Sequence, residues 1–285
     1  MDGVRVDREK AFQVIGLLIE GMGIRAIQRF TGLHQETVLN ILASAGEQCA
    51  RLLNYRVRNI RSDFVQADEL YSFVKTKEQN TADDDMEHGN FFTHLSICRD
   101  SKLIINYQVS KRSWQDSENF MRDLQSRMSG KFTLCTDGLP AYIGRAGAVR
   151  KVFGDTINYA SEIKQFYTKP SNMYSFRVAR RIGSGEFIAV KRKARIGNPD
   201  LRMTTTCHVE RTNLSVRLFN RRFTRLTLGY SKTLDNLRHS VALFVAHFNF
   251  CRVHSTLKQT PAMAAGLTNS VWSIKELLKM DYSTM

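Results

Sequence analysis

Phe12, Ile15, Leu18, Ile19 and Met22 recur at helical spacing and predict an amphipathic helix over 11–22, which Gly21 and Gly23 bring to an end. A second short helix is expected over 24–30, followed by Thr31-Gly32-Leu33. A third, over 35–53, carries Val38, Ile41 and Leu42 on one face. Two helices joined by so tight a turn have helix-turn-helix spacing. After Arg61 the period shortens: 64–68, 91–98 and 103–109 are β-rich runs, separated between the first two by a polar loop over 75–89. The Asp83-Asp84-Asp85 run inside that loop reads as a solvated turn. A helix over 114–128, with Phe120, Met121 and Leu124 on one side, precedes an apolar strand over 132–136 that stops at Asp137-Gly138. Three strands, a helix and a further strand predict a mixed α/β layer. Helical signals return over 209–228 and again over 234–252.

The stretch 161–200 lacks a clear period. It is rich in basic and aromatic residues, among them Tyr167, Tyr174, Phe176, Phe187, Lys191, Arg192 and Lys193. The sequence predicts here an irregular basic insertion that touches nucleic acid.

At 285 residues the chain has room for one catalytic core and a smaller module. With 42% hydrophobic residues and no apolar run of about 18 residues, it is expected to be soluble, cytoplasmic and free of membrane spans. A formal net charge of +15 makes nucleic acid the leading partner. The positive residues are spread along the chain, unlike those of a basic membrane-surface helix. The five cysteines are scattered without a C-x-x-C pair and read as reduced thiols.

Charge gives the helix-turn-helix a function. Arg25, Arg29, Arg51, Arg56, Arg58 and Arg61 surround it, and its third helix would offer Gln35, Thr37 and Asn40, with His34 and Glu36, to DNA in the major groove. The alternative is an ordinary three-helix packing element.

Candidate chemistry lies in three acids. Asp68 follows the run 64–67, Asp137 follows 132–136, and Glu210 opens a helix after Thr204-Thr205-Thr206. Three carboxylates converging from separate elements can hold two Mg2+ ions, with Mn2+ as a substitute, for phosphodiester cleavage and transfer. Arg211, Asn213 and Arg217 follow Glu210 and would meet the DNA backbone. Glu69 is an alternative ligand, ranked below Asp68 because strand alternation points it to the opposite face. His208 is either a phosphate contact or a packed neighbour.

The blocks Ala67-Asp68-Glu69-Leu70-Tyr71-Ser72-Phe73-Val74, Thr136-Asp137-Gly138-Leu139-Pro140-Ala141-Tyr142 and Val209-Glu210-Arg211-Thr212-Asn213-Leu214 resemble the catalytic blocks of DDE transposases of the insertion-sequence-one family. The likeness continues through Arg217, Arg221, Arg222 and Leu228-Gly229-Tyr230-Ser231-Lys232 and spans about 61–267. It implies a ribonuclease H-like fold of the retroviral integrase superfamily, an Asp68, Asp137, Glu210 triad, and a helix-turn-helix that binds terminal inverted repeats. It also implies a homo-oligomer, at least a dimer, on paired DNA ends. Many members carry a cysteine-rich zinc finger ahead of the helix-turn-helix; no such pattern precedes it here, so end recognition is expected to differ. The tail from Phe248 to Leu267 resembles one shared by transposases and integrases. Within it Asn249, Arg252 and His254 either contact DNA, brace the active site or serve structure alone.

The resulting division is a DNA-binding module over 1–58, a catalytic domain over 59–233 with its insertion at about 161–200, and a helical tail over 234–285. The expected activity is cleavage at the element end, which frees a 3′ hydroxyl, followed by attack of that hydroxyl on target DNA. A ribonuclease H-like nuclease of another role and a catalytically silent DNA-binding regulator are the alternatives.

Overall fold

The computed structural model describes residues 6–82, 84–167 and 186–278. Three helices open the chain: α1 (Arg8–Ile19), α2 (Ile24–Thr31) and α3 (Gln35–Arg56). Gly32, in the left-handed region at φ 71°, ends α2, and the His34 side chain caps α3 by accepting from the Glu36 N–H. Val38, Ile41, Leu42, Ala45, Cys49 and Leu52 form the buried stripe of α3. The expected helix, turn and helix are therefore present.

The sheet contains β1 (Phe64–Val74), β2 (Gly89–Cys98), β3 (Ile104–Ser110), β4 (Thr133–Thr136), β5 (Asn158–Tyr167) and β6 (Glu186–Ile196), in the order β3-β2-β1-β4-β5-β6. The β1–β4 and β4–β5 pairs are parallel, and the others are antiparallel. Helices α4 (Trp114–Arg127), α5 (Pro140–Ile143) and α6 (Ala148–Phe153) connect β3 through β5. After β6 come α7 (Cys207–Phe219), α8 (Leu234–Phe250), α9 (Pro261–Ala264) and α10 (Ile274–Leu277). Parallel strands joined through helices, with an antiparallel hairpin beyond β1, make the mixed α/β sheet of the ribonuclease H-like class.

The two faces of β1 meet different helices. Asn106 of β3 donates to the Phe120 carbonyl of α4 at 3.0 Å, and Phe120 also lies beside His94 of β2, the cross-strand partner of Glu69. On the other face Gln66 of β1 caps α7.

Three expectations need correction. First, β1 does not end at Ala67. It continues through Asp68 and Glu69 to Val74, because β2 pairs with it along that whole length and overrides the poor strand propensity of two acids. Second, much of the stretch 161–200 is not irregular: β5 and β6 extend the sheet, with Lys191, Arg192 and Lys193 on the edge strand, where cations discourage further strand pairing. Tyr174 and Phe176 of that stretch, like Asp83 of the acidic run, lie outside the described residues. Third, the helix begun near Glu210 stops at Phe219; Asn220 turns the chain, its Nδ2 donating to the Ser240 carbonyl at 3.2 Å.

One continuous apolar core runs from Val14 and Ile41 through Leu70 and Leu134 to Val241 and Phe250. Arg127, buried at the end of α4, joins the first helices to the sheet by donating to the Leu53 and Val57 carbonyls at 3.1 and 3.3 Å. Asn249 closes the β3 edge: its Oδ1 accepts from the Ile104 N–H and its Nδ2 donates to the Ile104 carbonyl, both at 2.9 Å. Fully buried, it is a structural brace of β3 rather than a DNA contact. Among the described residues no helix is long and apolar enough to cross a membrane.

Candidate metal centre

Parallel pairing of β1 with β4 ends at Ala67↔Thr136. The next residue in each case is an aspartate, Asp68 still on β1 and Asp137 just past the end of β4, so the two leave the paired region side by side. Beyond this point the chains diverge. Asp68 stays in β1, whereas Asp137 turns, its Oδ1 accepting from the Leu139 N–H at 2.9 Å before Pro140 opens α5.

Strand alternation holds on β1. Asp68 faces α7 and accepts from Asn213 Nδ2 at 2.7 Å, while Glu69 faces the opposite side, where Arg112 Nη2 donates to its Oε2 at 3.0 Å. Alternation does not separate their carboxylates, however. Because β4 stops at Thr136, no strand among the described residues pairs with that edge of β1 at this level, and ligand oxygens of Asp68, Glu69 and Asp137 all lie within 4.8 Å of one another. Glu69, ranked below Asp68 on alternation, thus belongs to the same cluster.

Burial and mutual repulsion make these acids reluctant to ionise. The Asp68 carboxyl is pushed up to about 6, first by burial and then by the charge of Asp137. Glu69 is pushed up to about 8 by burial and then by Asp137, with the nearby Tyr142 hydroxyl and Arg112 offsetting part of the effect. Asp137 is raised by burial, against the Leu139 N–H, which lowers it.

Glu210 sits in the first turn of α7, as expected, but its carboxylate is held away from the cluster. Lys164 of β5 grips both oxygens, and the Thr206 hydroxyl lies 2.7 Å from Oε1. Its charge still helps to raise Asp68 and Asp137. Gln66 and Glu162 anchor the start of α7. Gln66 Oε1 accepts from the His208 and Val209 N–H groups at 2.9 and 3.0 Å, and Glu162 Oε1 accepts from the Thr206 N–H at 3.1 Å. Arg192 donates to the other Glu162 oxygen at 2.9 Å.

The donor set fits a hard divalent cation. All three clustered side chains are carboxylates, and the buried Glu69 Oε1 and Asn213 Oδ1 have no hydrogen-bond partner among the described residues.

The remaining expected contacts are distributed as follows. Gln35 and Asn40 are exposed and Thr37 half-buried at the start of α3; Arg211, Arg221, Lys191 and Lys193 are exposed. Arg217 is half-buried. Asn213 turns inward to Asp68, and Arg222 turns inward to donate to Ser231 Oγ at 2.8 Å, its pKa lowered to about 10 by burial. Arg252 lies over the Phe219 ring at 3.7 Å, and His254 Nδ1 accepts from the Thr256 N–H at 3.3 Å. His208 lies 3.2 Å from Lys102 Nζ and is shifted down by burial, then by that lysine. Sequence reasoning missed Gln66, Arg112 and Lys164. Gln66 alone carried a signal, a polar residue between Val65 and Ala67 in an apolar run.

No family model matches the chain, and no curated protein matches it in sequence. Solved structures do resemble it. One is the simian T-cell lymphotropic virus intasome in complex with PP2A regulatory subunit B56 gamma, 17% identical, covering 90% of this chain and 74% of that chain, with a TM-score of 0.39. Another is the piggyBac transposase synaptic complex with hairpin DNA, 8% identical over 98% and 72% of the two chains, TM-score 0.39. A third is a pre-cleavage Mos1 transpososome, 12% identical over 85% and 79%, TM-score 0.23. At such identities and scores these resemblances assign no role to any residue, and the fold rests on its own strand order.

Proposed function

We propose that this chain is a DNA transposase of the DDE type, similar to the insertion-sequence-one family, that cuts at the inverted repeats of its element and joins the freed ends to target DNA. The observation that carries this reading is the parallel register of β1 and β4, which brings Asp68 beside Asp137 in a half-buried acidic cluster. In the proposal Asp68, Asp137 and Glu210 hold two Mg2+ ions, replaceable by Mn2+. When bound, such ions supply Lewis acidity at the phosphodiester and a potent oxygen nucleophile at neutral pH.

The protein's own groups orient the site. Asn213 fixes one oxygen of Asp68, and the Leu139 N–H fixes one of Asp137, so both carboxylates are aimed before DNA arrives. Partial burial strengthens the charge interactions there. Arg211, Arg217 and Arg221, on or just after α7, would meet the DNA backbone, and the +15 net charge favours that encounter. Helices α2 and α3 would read the repeat through Gln35, Thr37 and Asn40. Two protomers on paired ends complete the proposed assembly.

The test incubates labelled DNA carrying the repeats that flank the coding region with wild-type protein or Asp137→Asn, in Mg2+ or Mn2+. Wild type should nick at the repeat boundary and join the end to a second duplex. Equal cleavage by Asp137→Asn would overturn the assignment.

A further inference from the structure

We propose that Glu69, together with Asp68 and Asp137, supplies the third carboxylate of the divalent-cation site in the DNA-free protein, while Glu210 stays on Lys164. This inference deepens the transposase reading and rests on its metal site.

The two glutamates differ in geometry. A ligand oxygen of Glu69 lies within 4.8 Å of ligand oxygens of both aspartates. Glu210 is absent from that group, and its two oxygens are engaged by Lys164 and Thr206. They differ as strongly in solvation: the Glu69 side chain is 2% exposed and that of Glu210 41%. A carboxylate left in water beside a lysine is already compensated. A buried one is not, unless each oxygen has a partner.

Glu69 is only half provided for. Arg112 occupies Oε2, whereas Oε1 has no partner of hydrogen-bond geometry among the described residues: His94 Nδ1 stands at 3.8 Å, and the nearby Tyr142 hydroxyl, which helps to lower the Glu69 carboxyl, is itself 2.8 Å from His94 Nδ1. The Asn213 Oδ1, on the other side of β1, is likewise buried without a partner among the described residues. Asp68, Glu69 and Asp137 carry three negative charges when ionised, and Arg112 supplies one positive charge. A divalent cation restores neutrality and gives Glu69 Oε1 a partner. Arg112 then acts as a positioning residue, holding Glu69 by one oxygen and leaving the other for the ion.

The test measures Mn2+ binding to the full chain without DNA, by electron paramagnetic resonance of free Mn2+ and by thermal shift. Wild type is compared with Glu69→Gln, Glu210→Gln, Asp68→Asn and Asp137→Asn. Glu69→Gln should weaken Mn2+ binding about tenfold or more, as the aspartate variants do, and Glu210→Gln should change it less than about threefold. Wild-type affinity in Glu69→Gln, with weak binding in the aspartate variants, would overturn the role of Glu69 and leave the metal site standing. Wild-type affinity in Asp68→Asn and Asp137→Asn would overturn the metal site itself. Should Glu69→Gln not fold, Glu69→Asp decides: it keeps the charge but withdraws the carboxylate by one methylene, and unchanged affinity there overturns the proposal.

Discussion

Replacing Asp68 by asparagine should make the metal-free protein more stable at neutral and alkaline pH. Asparagine has nearly the same shape and retains an oxygen to accept from Asn213, so packing is conserved and the charge is removed. Folding raises the Asp68 carboxyl from its ordinary 3.8 to about 6. At about 1.4 kcal/mol per tenfold change in proton affinity, that corresponds to about 3 kcal/mol. The sign follows from the direction of the shift. A carboxyl whose folded pKa exceeds its unfolded value contributes stability below the unfolded value, and that contribution is lost as pH rises through the folded one. The stability of Asp68→Asn relative to wild type should therefore rise by about 3 kcal/mol between about pH 4 and about pH 8. Loss of the Asp68 charge also relaxes Glu69, which that charge helps to raise, and so adds to the gain. The assay is urea unfolding at both pH values in chelator, repeated in millimolar Mg2+. The ion should stabilise wild type and leave the variant nearly unchanged. A difference between variant and wild type that is flat with pH would refute the argument, since it would mean that folding does not desolvate this carboxylate beside Asp137.

Two further outcomes follow from packing. Gln66→Leu removes the acceptor of two N–H groups at the start of α7, leaving them buried or fraying the helix; unfolding in urea should show a loss of about 2–4 kcal/mol, with earlier proteolysis near Thr206. Gly46→Ala should cost about 2 kcal/mol although alanine favours helix, because a Cβ there would stand 2.6 Å from the His239 Cα of α8; a raised urea midpoint would show that α3 and α8 do not pack so closely.

Much of this molecule was legible in the order of its side chains. The buried stripes of α1, α3 and α4 follow the helical period, and β2, β3 and β4 are apolar enough to be recognised without partners. The acids at 68 and 137 stood out because each follows an apolar run. Other features depended on contacts far apart in sequence. The second half of β1 is a strand only because β2 lies against it, and β6 reads as a basic loop because an edge strand needs only one neighbour and tolerates Lys191, Arg192 and Lys193. Alternation along β1 was legible, but its consequence was not. Where β4 stops, the two faces of β1 open onto the same space, so Glu69 comes to share it with Asp68 and Asp137. Glu210, placed correctly at a helix start, is held off by a lysine 46 residues away in sequence. Periodicity along one chain carries burial and secondary structure, whereas the meeting of charges depends on where neighbouring strands end, which only the tertiary structure decides.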